Sequence, residues 1–135
     1  MAIKKVISWV LRIVAAVILL QTLYFKFTGH PESVELFSEL GVEPWGRIGT
    51  GVIELIASVL LLIPSTVFIG AFVGIGLMAG AIFSHLTVIG IASHGDGGQL
   101  FMLAIIVLIC CTVLTILHKQ QGVQLLNKSL KRKVI

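Results

Sequence analysis

Glu54 stands inside the run "GVIELIASVLLLIP" (51–64), a carboxylate among residues otherwise suited to lipid or to a core. An acid in such surroundings can hydrogen-bond a ligand oxygen or exchange a proton with it. At helical spacing Arg47, Gly51 and Ser58 share its face, so that face is polar over three turns. His85 is a second titratable group on an apolar stretch, of the type suited to proton exchange. Gln21, with Tyr24 and Thr28 on its own face, adds hydrogen-bonding groups near the end of another apolar run. Lys26 lies well over a right angle from Gln21 around the same helix. Its stem suits snorkelling to the headgroups, and a reach toward Glu54 is the alternative. Glu54, His85, Gln21, Lys26, Tyr24 and Arg47 are therefore the candidates for ligand binding or proton exchange.

Each has a plainer reading. Glu54 could be a structural carboxyl held by Arg47 or Lys26, and His85 a hydrogen-bonded residue between helices. Cys110 and Cys111 are vicinal, and a disulfide between neighbours on a helix is strained, so they read as small apolar packing groups. His94, Asp96 and His30 lack a recognised metal-ligand spacing; no metal is expected, and Asp96 is placed to cap the helix that follows.

The elements that position these residues follow from composition. The 135 residues are 57% hydrophobic and 12% charged, with a mean hydropathy of +1.08, which leaves too little polar surface for a water-soluble globule. Four runs are long enough to cross a bilayer, near 6–27, 45–63, 65–92 and 99–118. They predict an all-α, up-and-down four-helix membrane bundle over 1–120, followed by a basic tail over 121–135. The first run flows into "QTLYFKF" without the small residues of a cleavage site, so it reads as a retained helix.

Orientation follows from Lys and Arg. Lys4, Lys5 and Arg12 precede or open the first span, and Lys119, Lys128, Lys131, Arg132 and Lys133 follow the last. Both termini are therefore expected in the cytoplasm, with Arg12 snorkelling to the headgroups there. The connection "HPESVELFSELG" places Pro31 in a first helical turn, aligns Val34, Phe37 and Leu40, and ends on Gly41, which predicts a short interfacial helix on the outer face. Threading the helices up and down brings Glu54, His85 and Gln21 into the outer half of the bundle, with nothing comparable expected in the inner half. Two small-residue rows, Gly70, Ala71 and Gly74, and Gly76, Gly80 and Ser84, predict close approach around a central third helix. The positive charge fits anionic lipid headgroups; a short basic tail without aromatics does not make a nucleic-acid site.

The segments "LLQTLYFKFTG", "LFSELGVEPW", "GTGVIELIASVLLLIP" and "MAGAIFSHLTVIG" together resemble the DoxX family of small four-helix membrane proteins, from about Val6 to His118. The resemblance implies that Lys26, Gly41, Glu54 and His85 occupy the family's motif positions around a shared polar pocket. It also implies a bacterial inner-membrane location and a link to quinone-coupled thiosulfate oxidation or to complexes handling thiol and oxidative stress. A quinone is the cofactor so implied, and a protein partner or homo-oligomer the setting. Three readings stand: a membrane subunit supporting quinone-linked oxidoreduction; a non-catalytic scaffold, assembly or lipid-binding module; and a small proton-coupled carrier, for which four short helices offer no evident second half.

Overall fold

The computed structural model describes residues 2–134, the His94 side chain excepted. Six helices carry the chain: α1 (Ala2–Thr28), α2 (Pro31–Glu39), α3 (Trp45–Leu62), α4 (Val67–Ser84), α5 (Gln99–Leu117) and α6 (Lys119–Val134). Four helical segments, Ala2–Thr28, Trp45–Leu62, Pro64–Ile89 and Gln99–Leu117, are long and apolar enough to cross a membrane. The protein is an all-α membrane bundle.

Backbone chemistry explains the ends. α1 stops at Gly29, whose φ of +68° lets the chain reverse. α2 begins with Pro31 at its first turn, where the missing N–H costs nothing, and His30 Nδ1 accepts from the Glu32 N–H at 3.4 Å. α3 ends before Pro64, and a short 3₁₀ turn (Pro64–Thr66) leads into α4. α4 stops earlier than its apolar run suggests: residues His85–Ile89 form a π turn, and Gly90, at φ +85°, breaks the helix.

The helices close in a ring in which α1 lies between α3 and α5, and α4 between the same two. α4 is thus one wall of four and not a central helix. Its Gly70 and Gly74 permit close approach, because a Cβ would meet Leu61 N at 2.8 Å in the first case and Cys111 Sγ at 2.6 Å in the second. Gly76 and Gly80 face open space, so the second small-residue row makes no such contact. Inside the ring Ala15, Ala57, Leu61, Val67, Ala71, Val107, Cys111 and Leu114 are fully buried. Outside it Phe72, Phe83, Leu86 and Ile116 are 66%, 67%, 63% and 63% exposed, an apolar surface that needs lipid as its solvent.

α6 continues the chain beyond the last span as an exposed, basic helix with no acidic residue. Gln121 pins its start to the α3–α4 turn, donating from Nε2 to Pro64 O and accepting the Phe68 N–H at Oε1.

Candidate functional site

The face of α3 that carries Arg47, Gly51, Glu54 and Ser58 is buried against α1 and the bundle interior. Glu54 lies nine residues into α3, about 14 Å along it. Its Oε2 is 3.1 Å from Lys26 Nζ and 3.0 Å from Thr22 Oγ1. The Lys26 and Glu54 side chains are only 13% and 5% exposed, so this is an ion pair sequestered between two spanning helices. Thr22 and Lys26 are one turn apart on α1, which aims both at one carboxylate. The Thr22 hydroxyl also lies 2.8 Å from Leu19 O, and its single proton can serve one acceptor at a time. Ser58 donates back to Glu54 O at 2.8 Å and so satisfies itself within α3.

A second cation closes the end of this face. Arg47 Nε donates to Glu43 Oε1 and Oε2 at 2.9 and 3.0 Å, and Nη1 donates to Lys26 O. One guanidinium thus ties the start of α3 to the connection before it and to the last turn of α1, which a planar fork can do and a point charge cannot. Phe27 lies over Gly51, where a Cβ would meet its ring at 2.8 Å.

The remaining candidates lie apart from the pair. Gln21 and Tyr24 are exposed on the other side of α1, Tyr24 edge-on to Phe25 with ring centroids 5.4 Å apart. His85 is buried at the end of α4, its Nδ1 2.9 Å from Gly90 O and its ring edge-on to Phe101 at 5.7 Å. It closes the π turn, and no hydrogen bond joins it to Glu54 among the described residues. Lys26 does not snorkel; it reaches the carboxylate because Glu54 offers a partner at the same depth. Thr22 and Glu43 were not singled out from the sequence, although the i, i+4 spacing of Thr22 with Lys26 and of Glu43 with Arg47 was there to read.

Asp96 sits in the turn before α5 and accepts the N–H groups of Gly98 and Leu100 at 2.8 and 3.2 Å, the capping expected of it. Burial opposes its charge, but backbone donation from Gly98, Leu100 and Ser93, with the nearby His85, outweighs this and holds the carboxyl below its usual range. Among the described residues no three His, Cys, Asp or Glu side chains gather around one point as metal ligands would.

The half of the bundle that holds the termini also has a polar cluster, contrary to expectation. Arg12 is 2% exposed and does not snorkel: Nε donates to Leu61 O, the carbonyl freed near the end of α3, and the Trp9 ring stacks 3.6 Å from Cζ. One turn earlier, Ser8 Oγ lies 2.8 Å from His118 Nε2 and links α1 to the end of α5.

Fold and site together define a small integral membrane protein of four spanning helices, with a lysine paired to a buried glutamate between the first two. Residues 10–114 match the model of the DoxX-like family, and the chain belongs to that family. Neither a curated protein nor a solved structure matches it.

Proposed function

We propose that the protein is a membrane subunit that holds a quinone at the Lys26–Glu54 pair and supports oxidoreduction within a larger complex. The sequestered ion pair carries this reading. Quinone oxygens need hydrogen-bond donors, and Lys26 Nζ and Thr22 Oγ1 are donors, while Glu54 Oε2 can accept or return a proton. A bound quinone would supply the electron chemistry; the chain's own residues would bind and orient it, and electrons would pass to a protein partner or a second copy. The excess of Lys and Arg at both ends supports a reading in which the termini are cytoplasmic and α2 is outside, and the family resemblance supports a bacterial inner membrane as the setting. An impermeant thiol reagent should then label Ser38→Cys in intact cells and spare Ser129→Cys; the reverse pattern overturns this orientation.

A second reading is favoured by Arg47: its bonds to Glu43 and Lys26 O make the same region a clamp between α1 and α3, as a scaffold or assembly module would need. Mass spectrometry of gently extracted protein separates the two. Under the first reading quinone accompanies wild type and is lost from folded Glu54→Gln. Quinone retained by folded Glu54→Leu would sink the ligand site, and a stoichiometric protein partner without quinone would support the scaffold.

A further inference from the structure

Arg12 is a buried cation without a carboxylate. Its Nη2 is enclosed and has no hydrogen-bond partner among the described residues. The chain's acidic residues are Glu32, Glu35, Glu39, Glu43, Glu54 and Asp96. Glu54 is held by Lys26, Glu43 by Arg47 and Asp96 by the N–H groups that open α5, while Glu32, Glu35 and Glu39 belong to α2. All of them lie toward the α2 end of the bundle, and from Arg12 to Lys26 alone is about 21 Å along α1. A guanidinium in a spanning helix with only a carbonyl and an aromatic face against it is poorly compensated. Among the described residues no carboxylate lies against it, which leaves room for an anion from outside the bundle.

The surface beside Arg12 indicates which anion. Ala2, Lys5, Val6, Trp9, Val10 and Ile13 line a groove on the outside of α1, and Lys5 is the only charged residue among them. Lys5 and Arg12 are two turns apart and point within about 20° of one another around the helix, roughly 10 Å apart along it. Trp9 lies between them, half-buried, forming one wall of the groove and covering one face of the guanidinium. We propose that this is the site of one anionic phospholipid, its phosphate oxygens bridging Lys5 Nζ and Arg12 Nη2 as Trp9 turns aside, one acyl chain lying along Val6, Val10 and Ile13. Phosphate suits a cation pair through charge-assisted bonds, and the apolar groove adds what a free phosphate cannot use. A zwitterionic lipid would bring its own ammonium against Lys5, so net negative headgroups bind better.

The test uses the delipidated full chain in detergent, titrated in native mass spectrometry with phosphatidylglycerol, phosphatidylcholine and inorganic phosphate in turn. One phosphatidylglycerol should bind about tenfold more tightly than phosphatidylcholine, and Lys5→Gln should weaken it by about tenfold, the loss of one charge-assisted contact. Arg12→Met should abolish that preference; should this variant not fold, Lys5→Gln, on the exposed surface, decides alone. Unchanged affinity in Lys5→Gln, equal binding of the two lipids, or inorganic phosphate binding as tightly as phosphatidylglycerol overturns the proposal.

Discussion

Breaking the Lys26–Glu54 pair from either side should have unequal consequences. At 3.1 Å and an effective dielectric constant near 20, the attraction between the two charges is about 5 kcal/mol, much of it offset by the cost of taking both ions out of water. Lys26→Met leaves a carboxylate that is 5% exposed and on a short stem, and should cost about 3–5 kcal/mol. Glu54→Leu leaves an ammonium in the last turn of α1, from where its longer stem can swing to the headgroups, so the cost should be about 1–2 kcal/mol. The double variant replaces the pair by apolar groups of similar size and should lie within about 1 kcal/mol of wild type. The coupling is then about 3 kcal/mol or more. Reversible unfolding in mixed micelles, followed by circular dichroism, measures all four proteins. Additive costs, or a Glu54→Leu penalty equal to that of Lys26→Met, would refute the reasoning.

Glycine contacts make a sharper contrast. Gly74→Ala should lower stability by about 1–3 kcal/mol in the same assay, with recovery on adding Cys111→Ala, whereas Gly80→Ala should be tolerated. Arg47→Lys cannot serve both Glu43 oxygens and Lys26 O together, and amide hydrogen exchange at residues 40–43 should rise while the spans stay protected. Because the folded Asp96 carboxyl titrates below its unfolded range, its stabilisation is complete above that range and is lost as pH falls through the folded value. Protection of the turn before α5, taken relative to the intrinsic exchange rate at each pH, should therefore fall in acid, and Asp96→Asn should remove that dependence.

The spans, the short helix α2 and the polar face of α3 were legible because hydrophobic runs and helical spacing are local properties of the sequence. What escaped were the choices made between helices. Gln21 and Lys26 are both polar groups near the end of α1, and only the rotation of α1 against α3 decides that Lys26 and Thr22 face Glu54 while Gln21 faces outward. Arg12 read as a snorkelling residue because its length permits that; the carbonyl of Leu61 and the ring of Trp9, which hold it inside, become neighbours only in the fold. His85 has the residue type of a proton donor, yet the π turn gives its ring a partner five residues on, a closure that no periodicity announces. Of the two small-residue rows in α4, equally clear in sequence, the ring of helices uses only one.

The two inward-facing cations of α1 find their partners on the next spanning helix, α3. Lys26 meets Glu54 and Arg12 meets Leu61 O, while Arg47 of α3 returns a bond to the last turn of α1. During synthesis α1 is complete well before Glu54 and Leu61 exist. Released into lipid alone it would carry Arg12 without its carbonyl partner, at a cost of up to about 3 kcal/mol at the middle of a bilayer, while Lys26 would swing from the last turn to the headgroups. Chains truncated after Gly49 and released from the ribosome should accordingly remain extractable by alkali, and released chains that extend past Ser65 should resist it. That result would mean that the first helix is not an anchor set in advance for the rest, and that the membrane receives α1 and α3 as a hairpin.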